Sequence, residues 1–392
     1  MKRYCKSIDI TDTKFIESAI WDCLKNRDRR DFNRPDIQRV IEQYGTIDKM
    51  AEKISREIKS RHLELPPTTR SVRIDKSNGK LREIDVEDIW QQFYDYVAAH
   101  ALEPALVRLG YYQCGCVDGK GQIWGIQMLR GWMKKFKHFT HSDIRKCYPS
   151  IPQDKLFAFL RSIIKNDDLL WLIETLIRHT TKQGIPIGSR LSITLCQLYL
   201  SQLYHHMECC YKIRRGKRKK LAQHTLIFMD DIYMTSNSAS DLHKAEKELM
   251  RFSREELGLE IKPEWIMIDA VNASLDAMGF SLNRDYVKMR RINYLRTKKA
   301  LKKFKKNPCL KTAQSLMSRK TNIKYTDSYH FRKKYHWKEI SKKARRTISD
   351  ESKIHNQTEP SDPSYRWQYR LLPDRTECAG SDRERPSDGR VI

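Results

Sequence analysis

The stretch that most constrains this chain is His224–Asn237, HTLIFMDDIYMTSN: an apolar run, two adjacent aspartates and a second apolar run. Leu226, Ile227, Phe228 and Met229 lead in, and Ile232, Tyr233 and Met234 lead out. β-Branched and aromatic residues favour strands, so a hairpin is predicted with Asp230 and Asp231 at its tip. Two carboxylates framed by buried strands are costly unless something compensates them. A divalent metal would do so, because hard cations prefer carboxylate oxygens. An ordinary acidic turn is the plainer explanation of an isolated pair, so the neighbouring sequence has to decide.

Upstream, Phe139 and Thr140 lead a strand into Asp143, and Pro149 ends it before a helix over Gln153–Ile164. Gln183–Ser189 (QGIPIGS) is a loop whose Gly and Pro residues fix the backbone, and Ser189 can cap a long helix reaching about Met207. The free amides of that helix N-terminus suit a phosphate or a base-paired substrate. Earlier, Ser71–Val86 alternates like a hairpin turning at Ser77-Asn78-Gly79, with Arg73, Lys76, Lys80 and Arg82 on its polar face. Such a face is either simply solvated or a flap whose cations meet a triphosphate. Residues 1–70 read as mostly helical, as do Asp88–Leu102 and Gln122–Lys137. Beyond the paired aspartates come an amphipathic helix (Ala239–Leu257), a strand (Leu259–Ile268) and a hairpin (Met278–Met289). The strand contains Lys262, and its Pro263 demands an edge position or a break.

Charge narrows the partner class. With 76 Lys and Arg against 49 Asp and Glu, the formal net charge is +27. Such an excess points to a polyanion, most commonly nucleic acid. No basic amphipathic helix, lipidation motif or long apolar run favours a membrane, and no apolar segment follows the N-terminus, so a cytoplasmic protein is expected. Residues 296–346 hold 19 Lys and Arg with two acids, interleaved with Phe304, Tyr325, Tyr329, Phe331, Tyr335 and Trp337. This mixture suits a helical module laid along a nucleic-acid backbone, with Lys298, Lys299, Lys302, Lys303, Lys305 and Lys306 on phosphates. Lys212–Lys220 (KIRRGKRKK) reads as a charged hairpin tip, and residues 351–392 as a disordered tail. Ten scattered cysteines are expected as reduced thiols. His205–Cys209 and His206–Cys210 sit at helical i,i+4 spacing, and Cys114 and Cys116 might complete a zinc site. Two ligands are not four, so the spacing alone does not make that site.

The ordered set is therefore strand–Asp143, a Gln-Gly-x-Pro-x-Gly-Ser loop opening a helix, and a strand–Asp230-Asp231–strand hairpin. Phosphoryl transfer needs in-line positioning and neutralised phosphate oxygens more than covalent help. Two metal ions about 3.5–4 Å apart supply this, and carboxylates on adjacent strands suit such a pair. Without metal, converging aspartates raise one another's pKa.

These residues resemble a reverse transcriptase of the bacterial lineage that includes group II intron, retron, diversity-generating and defence-associated enzymes. Asp143-Ile-Arg-Lys-Cys-Tyr148-Pro-Ser-Ile is similar to the first catalytic motif, and Gln183–Ser189 to the nucleotide-pocket motif. Phe228-Met-Asp-Asp231 resembles the YxDD box with Phe replacing Tyr. Leu257-Gly-Leu-Glu-Ile-Lys262 resembles the motif that follows, and Met278-Gly-Phe280 the primer-grip turn. Arg190 departs from the Pro or Gln that relatives often carry after the serine.

The resemblance implies an α+β right-hand polymerase with α-rich fingers, a ferredoxin-like palm (antiparallel sheet plus helices) and a helical thumb. The expected layout is an N-terminal helical extension at 1–70, fingers at 71–138, palm at 139–290, thumb at 291–350 and the tail at 351–392. It implies an RNA-directed DNA polymerase working in bacterial antiviral defence or a retroelement. Asp143, Asp230 and Asp231 would be catalytic and, with the Ile144 carbonyl, would hold two Mg2+ ions, Mn2+ being a substitute. Tyr148 would exclude a 2′-hydroxyl, Gln183 would contact the nucleotide, Lys76 and Arg82 its triphosphate, and Lys262 would protonate pyrophosphate. Partners would be dNTPs, a DNA or RNA primer and an RNA template such as a dedicated non-coding RNA. The alternatives are a non-templated or protein-primed DNA polymerase, or a non-catalytic, maturase-like RNA-binding protein.

Overall fold

The computed structural model describes residues 3–25, 35–74, 79 and 81–357. Helices α1 (Thr13–Lys25), α2 (Pro35–Tyr44) and α3 (Ile47–Ser60) come first, then the hairpin β1 (Thr69–Ile74) and β2 (Leu81–Val86). Helix α4 (Ile89–Ala101), a 3-10 turn at Glu103–Arg108 and α5 (Gln122–Met133) lead to β3 (His138–Asp143). Four helices follow: α6 (Cys147–Ser150), α7 (Gln153–Ile163), α8 (Asp167–Thr180) and α9 (Arg190–Glu208). Two hairpins come next, β4 (Tyr211–Arg214) with β5 (Lys217–Lys220), and β6 (His224–Phe228) with β7 (Asp231–Ser236). Helix α10 (Ala239–Glu255) precedes β8 (Ile266–Asp269), β9 (Leu275–Ala277), β10 (Phe280–Leu282) and β11 (Val287–Met289). The last helices are α11 (Arg291–Lys306), α12 (Leu310–Met317), α13 (Lys320–Lys324), α14 (Tyr329–Lys334) and α15 (Trp337–Gln357).

Two compact units divide the chain, with a boundary inside α11: residues 1–296 with 321–328, and residues 297–320 with 329–392. The first unit is built around a four-stranded antiparallel sheet in the order β6-β7-β3-β8. Numbered along the chain, those strands lie in the order second, third, first, fourth, with helices between the first and second and between the third and fourth. That is the split βαβ arrangement of a ferredoxin-like palm. It makes the fold class α+β, as expected from the sequence.

Burial accounts for the strand choice. Residues Ile232–Ser236 of β7 are buried on both faces, so their near-continuous apolar run suits an interior strand. Helix α10 covers one face with Leu242, Ala245 and Leu249, and its first turn is capped by Ser238, whose hydroxyl accepts from the Asp241 amide. Helix α9 is buried along most of its length, and Leu191, Leu195, Leu198 and Tyr199 join one large core. A second core lies against the other side, where Phe139, Leu226 and Tyr233 meet Ile126, Leu129, Met133 and Phe280.

Several local expectations change. Only Met229 and Asp230 form the turn of the acidic hairpin; Asp231 already belongs to β7. The strand expected over Leu259–Ile268 breaks at Pro263, leaving an isolated Ile144–Ile261 bridge before it and β8 after it. The hairpin expected at Met278–Met289 is a three-stranded meander, β9-β10-β11, because Leu275–Ala277 pairs as well. Residues 351–357, placed in the tail by composition, continue α15, and the rest of that tail lies outside the described residues.

The second unit is helical. Ala300, Leu301, Phe304, Ala313, Leu316, Phe331 and Ala344 are buried, and α15 packs against α12 and α14. Among the described residues, no helix is long and apolar enough to cross a membrane.

Candidate active site

Strand register brings the three aspartates together. Asp143, the last residue of β3, lies directly opposite Asp231, the first residue of β7. The Ile144 amide donates to the Asp230 carbonyl at 3.2 Å. A bond one step beyond the pair marks 143 and 231 as a non-hydrogen-bonded pair, the kind with the closer Cα spacing of about 4.5 Å. An extended residue directs its N–H and C=O to the same side, so the Ile144 carbonyl also faces the acidic turn. Asp230 occupies that turn after Met229, whose φ of +56° is unusual for a side chain of its size. Gly115 makes the close approach possible: a Cβ there would lie 2.7 Å from the Met229 nitrogen.

The site is electrostatically loaded. Burial, then Asp231 and also Asp143, push the Asp230 carboxyl above its ordinary range. The other two carboxylates each have a cationic or polar partner. Lys262 Nζ sits 2.6 Å from Asp143 Oδ1, but without hydrogen-bond alignment, so this buried oxygen keeps an unfilled acceptor position. His141 Nε2 lies 2.8 Å from Asp231 Oδ1, and its ring stacks on Tyr233 at 4.6 Å. Beneath the strand, Ser142 donates to the buried Glu246 of α10 at 2.8 Å, and burial raises the Glu246 carboxyl.

The expected nucleotide side is assembled from α6 and the loop before α9. The Ile185 amide donates to the Tyr148 carbonyl at 3.0 Å. Gly184 is required here: its φ is +71°, and a Cβ would fall 2.4 Å from the Pro149 carbonyl oxygen. Gln153 Nε2 ties the loop with bonds to the carbonyls of Thr181 (3.1 Å) and Gly184 (2.9 Å). Ser189 caps α9 by accepting from the Ser192 amide and donates a very short bond to Asp95. Asp95 shares a buried carboxyl pair with Glu87; burial pushes Asp95 up to about 6 and Glu87 to about 10, the latter also raised by Asp95. Tyr148 is half-buried, and burial raises its hydroxyl pKa well above the ordinary value.

Other expected site residues are less gathered. Gln183 is exposed, with its backbone amide on the Thr181 hydroxyl. Arg82 lies on β2 opposite Arg73, and Lys76 is outside the described residues. Lys298, Lys299, Lys302, Lys303, Lys305 and Lys306 lie on α11 in the second unit, all exposed except the half-buried Lys298. His141 was missed by sequence reasoning. The signal was present, because a strand residue two before Asp143 shares its face.

The donor set fits a hard divalent cation: carboxylates, a carbonyl facing them, an orphaned Asp143 oxygen and an Asp230 carboxyl raised by its neighbours. Lys262 and His141 occupy part of that space. Among the described residues, the one group bringing three metal-ligating atoms within 4.8 Å is His206, Cys210 and Glu248. There the donors already satisfy one another: Glu248 takes His206 at 2.6 Å and both arms of Arg251, and the Cys210 thiol donates to the His206 carbonyl. His205 is turned away to the Arg108 carbonyl.

A family model described as reverse transcriptase (RNA-dependent DNA polymerase) matches residues 74–295. A COX1/OXI3 intron 2 protein of Saccharomyces cerevisiae is 26% identical over 167 residues, which is 40% of this chain and 19% of that protein. An uncharacterized 91 kDa protein in the cob intron of Schizosaccharomyces pombe is 27% identical over 180 residues, 42% of this chain and 22% of that protein. The aligned part thus spans about a fifth of these relatives. Among solved structures, apo telomerase from Candida tropicalis, truncated from its C-terminal domain, is 12% identical with a TM-score of 0.42, covering 58% of this chain and 55% of that one.

Proposed function

The chain belongs to the reverse transcriptase (RNA-dependent DNA polymerase) family, and from that premise we propose that it extends a primer with dNTPs along an RNA template. The observation that carries this reading is the pairing of Asp143 with Asp231 beside the buried, proton-prone Asp230. Asp143, Asp230, Asp231 and the Ile144 carbonyl would hold divalent ions, Mg2+ in the cell. Bound there, such ions supply neutralising charge to the phosphate oxygens and acidify the attacking 3′-hydroxyl.

The remaining steps belong to the protein. Tyr148, kept neutral by burial, sets its ring under the incoming sugar and leaves no room for a 2′-hydroxyl. Gln183 and the amides opening α9 border the nucleotide, while Lys76 and Arg82 meet its triphosphate. Lys262 stands next to Asp143, where it can give a proton to departing pyrophosphate. Lys298, Lys299, Lys302, Lys303, Lys305 and Lys306 line an exposed helix face suited to phosphates. The motif set at Asp143–Ile151, Gln183–Ser189 and Phe228–Asp231 supports placement beside the bacterial enzymes, and a retroelement or defence role follows by that analogy alone.

The test is dNTP incorporation on a primed RNA template with Mg2+, comparing wild type with Asp230→Ala/Asp231→Ala. The variant should lose at least about a thousandfold in rate, as expected when charge stabilisation of the transition state is removed, while still binding RNA. Equal incorporation would remove the polymerase reading. Absence of incorporation by the wild type with RNA binding intact would favour an RNA-binding protein without catalysis, the reading that the intron-encoded relatives and the +27 charge also suit.

A further inference from the structure

The β4–β5 hairpin has no part in the chemistry above, yet its charge arrangement is unusual. Its turn is Arg215-Gly216, both at positive φ (51° and 71°), the pattern of a tight two-residue hairpin turn. Register pairs Arg214 with Lys217 and Lys212 with Lys219. Directly opposed residues share a face, so one face carries four cations, and like charges placed opposite each other destabilise a hairpin.

The root of the hairpin relieves part of this repulsion. Lys212 pairs closely with Asp241, and Lys220 with Glu208 at 2.7 Å. The Leu221 amide also bonds the Cys210 carbonyl at 3.0 Å, tying the hairpin to the end of α9. The outer part has no such relief. Arg214, Arg215, Lys217, Arg218 and Lys219 are all exposed, and none has an acidic partner among the described residues. On the other face Arg218 lies 4.7 Å over the Tyr211 ring, beside Ile213, which is 79% exposed. A solvated turn would gain by replacing these cations with neutral residues. A preformed hairpin that keeps them has its repulsion relieved when a polyanion docks.

Its position says which part of a nucleic acid that would be. The hairpin joins β6 at His224, whereas the acidic turn follows β6 at Phe228, so the two lie at opposite ends of a strand about 13 Å long. We infer that the β4–β5 hairpin is a second RNA-docking point, gripping the phosphate backbone of RNA that extends outside the reaction centre. The choice of RNA rests on family membership, and the grip does not depend on catalysis.

The test uses the full chain with Arg214→Gln, Arg215→Gln, Lys217→Gln and Lys219→Gln combined, measuring binding by fluorescence anisotropy between about 50 and 300 mM KCl. The probes are a long RNA stem-loop and a short primer–template duplex. Each lost phosphate contact should lower the slope of log affinity against log salt by about 0.7–0.9. The slope for the long RNA should therefore fall by about two to four, with the short duplex unaffected. The same four positions changed to keep charge (Arg214→Lys, Arg215→Lys, Lys217→Arg, Lys219→Arg) should preserve the slope. So should Lys49→Gln/Arg56→Gln/Lys59→Gln, a comparable loss of charge on α3. The neutralised variant should melt no lower than wild type, since repulsion has been removed. An unchanged slope for the long RNA overturns the proposal, as does an equal loss for the short duplex or for the α3 control. Loss of binding only to anionic lipid vesicles, with RNA unaffected, would assign the hairpin to a membrane surface and overturn it too.

Discussion

Asp143 is held by Lys262 at 2.6 Å, and Asp231 by His141 at 2.8 Å, while Asp230 is left to burial and its neighbours. Lys262 therefore stands where a divalent ion would compete for the same oxygen. A partly exposed ion pair is worth about 0.2–1 kcal/mol, so Lys262→Ala should tighten divalent binding by up to about fivefold. Mn2+ titration followed by electron paramagnetic resonance would show it, and an unchanged half-saturation would mean that Lys262 does not hold the ion's place. Gly184 permits a second residue-scale prediction. Adding a Cβ at φ +71° and 2.4 Å from the Pro149 oxygen must move either the loop or α6. Gly184→Ala should cost about 1–3 kcal/mol in urea unfolding and raise the dNTP KM more than it lowers kcat. Equal stability and kinetics would show the contact to be slack. Asp143, Asp230 and Asp231 were legible in sequence because strand patterning announced their faces. His141 was overlooked because a histidine in a strand has no fixed task until its partner is known, and Lys262 gained its partner only through a break at Pro263.

Between the hairpin of β1 and β2 and the start of α9, a buried acid pair joins elements that the sequence treats as separate. Glu87 and Asp95 lie 7% and 2% exposed, and Ser189 links them to the α9 cap. Nothing in the spacing of these three residues announces the contact, since it depends on how α4 packs against α9. Glu87 has its pKa raised from 4.5 to about 10, so the folded chain holds a proton that the unfolded chain releases. Folding stability from this group is complete below about pH 4.5 and is lost as the pH climbs towards 10, at no more than about 1.4 kcal/mol per pH unit for one proton. Glu87→Gln keeps the neutral form at every pH. Wild type should lose stability from pH 6 to pH 9 in urea titrations, and the variant should lose less and be the more stable of the two at pH 9. Parallel losses would show that Glu87 is not the group responsible. Element boundaries were legible wherever a cap or a proline set them, as at Ser189 and Ser238. They were misplaced where pairing decided the outcome, as with Leu275–Ala277 joining the last meander.

At the scale of the whole molecule the excess of cations is spread over two compact units, and only part of it faces the chemistry. Composition gave the partner class directly, since charge needs no fold to be counted. Which cations act was not legible, because a run such as Lys212–Lys220 reads as solvent-facing until its register and missing partners are known. The second unit makes the complementary case. Its apolar residues Ala300, Leu301 and Phe304 turn inward, which leaves Lys299, Lys302, Lys303, Lys305 and Lys306 exposed on the rest of α11. If that face follows a nucleic-acid backbone, each lysine in contact with a phosphate releases a counterion on binding. Changing Lys299, Lys302, Lys303, Lys305 and Lys306 to Gln together should then reduce the salt slope by up to about four, and it should do so for a short primer–template duplex as well as for a long RNA. Neutralising the β4–β5 hairpin should change the long RNA alone. Measuring both variants on both probes assigns each cationic surface to its own stretch of nucleic acid, and an α11 variant that leaves the short-duplex slope unchanged would remove that helix from the primer–template grip.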